Sequence, residues 1–260
     1  MKIKAYIVLL LTVLMMSACS HIDEDERLIY VKPAAVSRCV LLEDFTGQRC
    51  VNCPTAAEEI EKLIEQYGED TIIAVSIHSG PLGLRPPAGL MTDVGNEYYN
   101  HWNLEYQPVG LIDRGAPAEY TSWGTLIREE LQKTAPVEIE LDASVNDNLQ
   151  LSIHTSVKGV DGNIQGKLQL WIVEDSITAA QRMPDGTTNK NYIHRHVFRA
   201  AVNGEWGEDI TVNEGYTEER DHSFPIDNGW IPDNLAVIAF VYNGNGVLQV
   251  TRVKLQRLQE

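Results

Sequence analysis

The sequence predicts an α/β domain followed by an all-β domain of the sandwich type. Strand-like and helix-like segments alternate over residues 37–134, a pattern typical of a sheet with helices on its faces. Residues 135–260 contain about eight strand-like segments separated by Asn-Gly and Asp-Gly turn signals. This second pattern predicts an immunoglobulin-like or jelly-roll-like β-sandwich, with the domain boundary near Pro136.

The α/β prediction rests first on three consecutive elements. Residues 39–46 and residues 71–78 are compact apolar runs, and each predicts a buried strand. Between them, residues 54–67 have apolar side chains at helical spacing, with a proline in the first turn and Gly68 after the last. Further along come a glycine- and proline-rich loop over 80–90, a helix over 92–102, a short strand over 109–113 and a helix over 122–133.

The N-terminus has the pattern of an export signal. Basic residues, an apolar run of twelve over 5–16 and small residues precede Cys19. A short membrane anchor is the alternative, but a helix of that length does not span a bilayer core of about 30 Å. The pattern resembles the bacterial lipoprotein signal, which implies a signal peptide over 1–18 and acylation of Cys19. More than one acyl chain gives stable anchoring.

Residues 19–36 are predicted to form an acidic tether between the anchor and the folded part. A solvated linker is one interpretation of the acidic stretch 20–27. A sorting signal is the other, because an acidic tract after a lipidated cysteine resembles the surface-export signal of Bacteroides-type lipoproteins. The lipoprotein resemblance implies an outer-membrane location, facing either the cell surface or the periplasm.

Charge and motifs narrow the class of partner. The formal net charge is −16 at pH 7, and such a surface repels the phosphate backbone of nucleic acids. The sequence has no Walker A or dinucleotide-binding glycine motif. We therefore expect no nucleic acid, cofactor or metal. The expected partners are outer-membrane lipid, held through an acylated Cys19, and an envelope protein as substrate or binding partner.

The main chemical motif is a C-x-x-C pair, Cys50 and Cys53, followed by Pro54. The pair lies between a predicted strand and a predicted helix, so Cys50 precedes the helix start. Free N–H groups and the helix dipole at that position lower a thiol pKa and favour the nucleophilic thiolate. Arg49 adds positive charge, and Cys53 is placed to resolve a mixed disulfide.

The context of this motif resembles the thioredoxin superfamily over the α/β range. Asp44 lies six residues before Cys50, where that family has a buried acid that assists proton transfer to and from the second cysteine. Gln107-Pro108 matches the family's X-Pro step, in which the proline is cis and faces the disulfide. The resemblance implies a thioredoxin-like domain with catalytic roles for Cys50, Cys53, Asp44 and Pro108.

The whole chain is similar to a narrower family, the outer-membrane-protein-28 lipoproteins of Bacteroides-type bacteria. The similarity is carried by the lipoprotein signal, by residues 41–54 (LLEDFTGQRCVNCP) and by residues 192–197 (YIHRHV). It implies an outer-membrane lipoprotein and does not supply an activity.

The cysteine pair itself has three interpretations. It is a catalytic dithiol, a structural disulfide that staples a strand to a helix, or half of a zinc site. Zinc is the least favoured, because a structural site needs four ligands and the sequence has no second pair. Cys39 lies about 16 Å before Asp44 along the predicted strand, too far to bridge the pair, so we expect a buried free thiol.

Histidines raise a further question. His194 and His196 lie two residues apart on a predicted strand over 192–200, a spacing that suits a metal pair, although packing histidines are the favoured interpretation. His78 ends a predicted strand and would border the cysteine site, and the 80–90 loop would gate it.

The leading hypothesis from the sequence is thiol–disulfide exchange on envelope proteins. In it, Cys50 attacks, Cys53 resolves, Asp44 assists proton movement and Pro108 shapes the substrate contact. The rival hypothesis is a non-catalytic surface-binding or adhesion lipoprotein in which the pair is a structural disulfide.

Overall fold

The computed structural model describes residues 36–257. The predicted signal peptide, the tether up to residue 35 and the lipidation site Cys19 lie outside these residues. Within them, no helix combines the length and apolar character needed to cross a membrane.

Strands dominate the described chain, with 48% strand against 17% helix. The three α-helices of residues 36–257 are α1 (Cys53–Tyr67), α2 (Asp93–His101) and α3 (Tyr120–Glu130). The strands are β1 (Val36–Ser37), β2 (Val40–Thr46), β3 (Ile72–His78), β4 (Val109–Ile112), β5 (Thr134–Ala135), β6 (Val137–Val145), β7 (Gln150–Gly159), β8 (Ile164–Glu174), β9 (Ile177–Arg182), β10 (Thr188–His194), β11 (Val197–Ala201), β12 (Glu208–Val212), β13 (Thr217–Pro225), β14 (Leu235–Asn243), β15 (Gly246–Lys254) and β16 (Gln256–Arg257).

Eight strands form one mixed sheet in the order β15-β14-β8-β11-β3-β2-β4, with β12 also paired to β8. The sheet joins the two predicted ranges, because β11 pairs parallel with β3 through Val197 and Ser76. The predicted fold class, a thioredoxin-like α/β domain followed by a separate β-sandwich, is therefore wrong. Hydrophobic patterning predicts which residues are buried, but it does not predict which strands become neighbours.

The two faces of the large sheet are covered differently. On one face, α2 packs over a core that includes Leu41, Phe45 and Phe240. On the other face, α1 and α3 cover the β2–β3 end around Leu42. The four-stranded sheet β13-β7-β6-β16 covers the β8–β14 end of that same face, around Val237. The large sheet is thus buried on both faces along its central strands.

Local predictions around the cysteine motif are confirmed. The helix expected over 54–67 is α1, and the strands expected over 39–46 and 71–78 are β2 and β3. Every residue of β2 and of β3 is buried, which explains why apolar residues stand at consecutive positions in both strands. Because side chains alternate along a strand, Leu42 and Asp44 face α1 while Glu43 and Phe45 face α2.

Candidate functional site

The cysteine pair forms a disulfide at the start of α1. The Cα atoms of Cys50 and Cys53 are 5.4 Å apart, and only 2% and 3% of the two residues is exposed. Cys53 is the first residue of α1, and its backbone N–H donates to Cys50 Sγ at 3.1 Å. The helix start thus directs a free N–H at the sulfur of Cys50, which favours the thiolate when the pair is reduced.

Asp44 lies beneath the pair on β2. It is 1% exposed, and its Oδ1 atom has no hydrogen-bond partner. Burial raises the pKa of this carboxyl to about 8, because removal from water disfavours the charged form. A carboxyl with that pKa can both hold and release a proton near neutral pH.

Asp44 and Cys53 line the same pocket, which has a volume of about 130 Å³. Strands β2 and β3 supply its floor, because Asp44 pairs with Ser76 and Thr46 pairs with His78 in register. Helix α1 and strand β10 form its walls. The lining residues are Asp44, Thr46, Cys53, Pro54, Ala57, Glu58, Ile60, Glu61, Ser76, His78, Gln181, Tyr192, Ile193, His194, Arg195 and His196.

Three histidines line this pocket, and two of them, His78 and His194, are buried at the ends of two different strands. The ring centroids of His78 and His194 are 5.0 Å apart. Burial holds the pKa of His78 well below its usual range, with further lowering by His194 and Arg199. Burial also lowers the pKa of His194 to about 4, against backbone hydrogen bonds to Ala179 and Ala180 that act to raise it. Both imidazoles are therefore neutral at neutral pH.

The free nitrogens of these rings are buried and unpaired. His78 Nδ1 and His194 Nε2 have no hydrogen-bond partner. In a neutral imidazole one ring nitrogen carries the hydrogen and the other is an acceptor, so each of these two unpaired atoms accepts a hydrogen bond in one of the two tautomers. The prediction that His78 borders the cysteine site is confirmed.

A β-hairpin from the second half of the chain covers the cysteine motif. Strands β9 and β10 pair with each other, and the Gln181 side chain on β9 donates from Nε2 to the Cys50 carbonyl oxygen at 2.8 Å. Gln48 of the motif makes two hydrogen bonds to the hairpin. Its side-chain Nε2 donates to the Ala180 carbonyl oxygen at 3.0 Å, and its backbone carbonyl oxygen accepts from the Arg182 N–H at 2.9 Å. The hairpin is thus fastened to the motif on both sides.

Sequence reasoning missed this hairpin as a part of the site. The turn signal Pro184-Asp185-Gly186 was available in the sequence and predicts a hairpin at this point. No local signal indicates that the hairpin packs against residues lying more than a hundred positions earlier. Gln48 and Gln181 are both buried amides, a residue type that ordinary core patterning does not single out.

The 80–90 loop packs on the other side of the motif. The N–H of Arg49 donates to the Leu82 carbonyl oxygen at 2.9 Å, and the Leu90 N–H donates to Gln48 Oε1 at 2.9 Å. A Cβ atom at Gly47 would lie 2.5 Å from the backbone of Leu82, so this close approach requires glycine. The expectation that the loop gates the site stays a prediction.

Pro108 lies immediately before β4 and is not among the pocket-lining residues. Its peptide bond with Gln107 is cis, the isomer that the resemblance to the thioredoxin superfamily implies. The Gln107 amide donates to the carbonyl oxygens of Thr46 and Ser79, at 2.6 and 3.0 Å. This proline segment therefore holds the ends of β2 and β3 together. A contact of Pro108 with substrate stays a prediction.

The remaining candidates fall outside the redox chemistry. Cys39 is a free thiol, half-buried, and burial raises its pKa, with Asp70 and Asp113 adding to the effect. His196 lies in a left-handed turn between β10 and β11, at φ 53°, so the predicted strand over 192–200 is broken there. Residues 36–257 contain no group of three or more metal-ligating side chains placed to hold an ion.

Comparison with known proteins places the chain in a family. The sequence profile of the family described as outer membrane protein Omp28 matches residues 95–259, which is more than half of the chain. No curated protein matches the sequence.

A solved structure shares the fold. HBP35 of Porphyromonas gingivalis is 16% identical, with a TM-score of 0.68 over 86% of this chain and 77% of its own. At that identity the likeness shows the fold alone. A domain of the outer membrane lipoprotein Omp28 from Porphyromonas gingivalis is 22% identical over 48% of this chain and 100% of its own, with a TM-score of 0.36.

Proposed function

Because the chain belongs to the Omp28 family of outer membrane proteins, we propose that it works in the cell envelope, where its Cys50–Cys53 pair exchanges disulfides with other envelope proteins. One observation carries this proposal: the second cysteine shares a pocket with a buried, unpaired carboxyl group. Cys53 and Asp44 line that pocket together, and Asp44 Oδ1 accepts no hydrogen bond. A disulfide that only staples a loop has no need of such an acid.

The chemistry follows from these positions. In the reduced protein, the Cys50 thiolate bonds to one sulfur of a substrate disulfide, whose S–S bond breaks, and the other substrate sulfur leaves as a thiolate that takes a proton from solvent. The ionised fraction of Asp44, small at neutral pH because its pKa is about 8, takes the proton of Cys53, whose sulfur then attacks Cys50 Sγ and releases the second substrate sulfur, which is protonated in turn. The substrate ends as a dithiol and the protein as a disulfide.

The reverse direction uses the same groups. A reduced substrate opens the Cys50–Cys53 disulfide, and Cys53 leaves as a thiolate that needs a proton. With a pKa of about 8, Asp44 carries a proton at neutral pH and is placed to deliver it. The N–H of Cys53, 3.1 Å from Cys50 Sγ, stabilises charge on the attacking sulfur in the forward direction.

The test is an exchange assay on the full-length protein with a disulfide-bonded peptide. We expect Cys50→Ser and Cys53→Ser each to abolish turnover. Cys53→Ser should trap a mixed disulfide between Cys50 and the substrate, and Cys50→Ser should form no such species. Asp44→Asn should slow turnover by about 10–100-fold, the size of a lost proton-transfer group. Cys39→Ser is the matched control and should leave turnover unchanged. Equal turnover in wild type and Cys53→Ser would refute exchange by this pair.

A binding module with a structural disulfide is the second candidate, favoured by the low exposure of both cysteines. The reduction potential separates the two functions. Structural disulfides have potentials below about −300 mV, and exchange pairs lie above that value. A potential below it, together with no turnover, would assign the pair to a structural role.

We propose further that the chain is held at the outer membrane by lipid on Cys19. Membership of an outer membrane protein family supports this, as does the small-residue stretch before Cys19. The Cys19→Ser variant should move from the membrane fraction to the soluble fraction, and protease treatment of intact cells should show which side the protein faces. Unchanged membrane association would refute the anchor.

A further inference from the structure

We infer that the pocket beside Cys53 is a subsite for a primary ammonium group. Resting on the exchange function proposed above, we assign this group to a lysine side chain of the disulfide-bonded substrate. The pocket has a buried polar floor and an exposed rim, and its unpaired atoms, its charge and its size each point to such a ligand.

The floor carries three buried polar atoms without partners: Asp44 Oδ1, His78 Nδ1 and His194 Nε2. All three residues are at most 5% exposed, and all three line the pocket. A buried polar atom left unpaired costs about 1–3 kcal/mol, and native proteins rarely leave several in one place. Three at one site indicate that a ligand supplies the missing hydrogen bonds.

The unpaired atoms require donors. The neutral His194 ring presents Nε2 as an acceptor in the tautomer that carries its hydrogen on Nδ1. The neutral His78 ring can present Nδ1 as an acceptor as well, and the carboxyl oxygen of Asp44 is a third. An ammonium group has three donors and no acceptor, so one such group can satisfy all three atoms.

The charge of the pocket favours a cation. Its exposed rim has two carboxylates, Glu58 and Glu61, against one guanidinium, Arg195. Glu61 already pairs with His196 Nε2 at 3.2 Å, so Glu58 is the rim carboxylate for which residues 36–257 show no ion pair. The pKa of Tyr192 in the pocket wall is raised, first by burial and then by the negative charges of Asp44, Glu58 and Glu61. The net charge of −16 on the whole chain also steers cations toward the surface.

The size suits the end of a lysine side chain. The pocket volume of about 130 Å³ is close to that of a cavity that admits benzene, about 150 Å³. The α1 wall is apolar, with Pro54, Ala57 and Ile60, and such a wall packs the methylene stem of lysine while its head reaches polar groups. Cys53 lies in the same pocket, so the substrate cysteine would be brought close to the disulfide.

Proton release distinguishes an ammonium from a neutral ligand. Asp44 is protonated in the empty pocket at neutral pH, because burial raises its pKa to about 8. A cation bound beside it lowers that pKa and drives off the proton. A neutral donor of the same shape has no such effect.

The first experiment is a calorimetric titration of the oxidised full-length protein at pH 7 with n-butylammonium and with n-butanol. We expect butylammonium to bind at least tenfold more tightly than butanol. Measured in two buffers of different ionisation enthalpy, its binding should release close to one proton, and Asp44→Asn should abolish that release. Equal affinity for the two ligands, no butylammonium binding, or binding without proton release would overturn the ammonium subsite.

A matched pair of variants tests the rim. Glu58→Gln removes a carboxylate that lines the pocket, and Glu59→Gln removes its neighbour on α1, which pairs with Lys62 at 3.3 Å instead. We expect the first variant to weaken butylammonium binding about threefold and the second to leave it unchanged. Equal effects of the two variants would show that only long-range charge attracts the cation.

The second experiment separates the subsite from the exchange function. Two disulfide peptides, with lysine or the uncharged norleucine beside a cysteine, are compared as substrates. We expect about tenfold higher kcat/KM for the lysine peptide, and loss of this preference in saturating butylammonium. Equal rates for both peptides would overturn the lysine assignment and leave exchange standing. Butylammonium binding without turnover of either peptide would refute exchange and leave the subsite to free amines.

Discussion

Two neighbouring acids on β2 are equally buried but differ in their charged partners. Glu43 and Asp44 are each at most 1% exposed, they face opposite sides of the sheet, and burial raises the pKa of each, to about 7 and about 8. Arg114 lies 3.8 Å from Glu43 and opposes that rise, whereas Asp44 has no charged partner. A paired acid holds a fold together, and an unpaired acid beside a disulfide is available for chemistry.

The Glu43 side is closed by aromatic packing. The Arg114 guanidinium lies over the rings of Tyr242 and Phe240, at 4.0 and 4.8 Å from their centroids, and Trp171 and Trp206 complete the enclosure. Glu43 lines none of five pockets found in residues 36–257, among them the one beside Cys53. The contrast with the Asp44 side predicts which substitutions unfold the protein and which change its chemistry.

The largest expected loss of stability is on the closed side. Arg114→Met should lower the free energy of unfolding by about 3 kcal/mol, because it leaves a buried acid without its counter-ion. Urea unfolding at pH 7 measures this, and disulfide exchange by the folded fraction should be unchanged. Arg85→Met, which breaks the exposed pair with Asp93, is the control and should cost less than about 1 kcal/mol. Similar costs for the two variants would contradict the comparison.

Asp44→Asn should instead raise the free energy of unfolding. An unfolded aspartate has a pKa of about 3.9, and the folded Asp44 has one of about 8. Between these values the folded state holds a proton that the unfolded state has lost, so wild-type stability falls as pH rises through this window. The variant lacks this loss and should be about 2–5 kcal/mol more stable than wild type at pH 8, and equal to it at pH 3.

Urea unfolding at pH 3, 5 and 8 measures this gain. Asp185→Asn is the matched control, since hydrogen bonds from Thr187 lower the pKa of that exposed carboxyl. Its substitution should therefore destabilise at neutral pH and lose its effect in acid. A fall in stability at pH 8 for Asp44→Asn would mean that the charged carboxylate has a partner in the folded protein.

The sequence predicted the local features of the Asp44 side and not its surroundings. The strand with Asp44 and the helix start near Cys53 follow from short-range signals, namely apolar runs and a proline in the first helical turn. The cis bond before Pro108 follows only from the resemblance to the thioredoxin superfamily. No local feature of the sequence distinguishes Glu43 from Asp44, because both are acids in the same apolar segment. Only the fold shows that Arg114, seventy-one positions later, neutralises one acid and not the other.

Non-local pairing explains the wrong fold class. The eight-stranded sheet joins β3 to β11 across more than a hundred residues. The sequence of neither strand predicts that the two strands pair. The hairpin β9–β10 is a second case, because its turn is readable in the sequence but its docking on Gln48 and Cys50 is not. Sites assembled from distant segments are therefore found only from the structure.

Reduction of the disulfide should have a modest effect on stability. The bond closes a loop of only four residues, Cys50 to Cys53, for which the chain-entropy relation gives about 2 kcal/mol. The free energy of unfolding of the reduced protein, measured in urea with excess reductant, should be lower by about that amount. A loss above about 4 kcal/mol would mean that the pair staples the fold, and the Asp44 side would then resemble the Glu43 side.

The smallest expected effect is at the hairpin. Gln181→Ala removes the amide that donates to the Cys50 carbonyl at 2.8 Å, which should cost about 1 kcal/mol. Because that bond holds β9 over the sulfurs, its loss should speed reduction of the disulfide by a small thiol several-fold. Stopped-flow reduction measures the rate, with Lys190→Ala, an exposed change on the same hairpin, as control. Equal rates in both variants would show that the hairpin does not limit access, and that the Asp44 side is open to small thiols through its pocket alone.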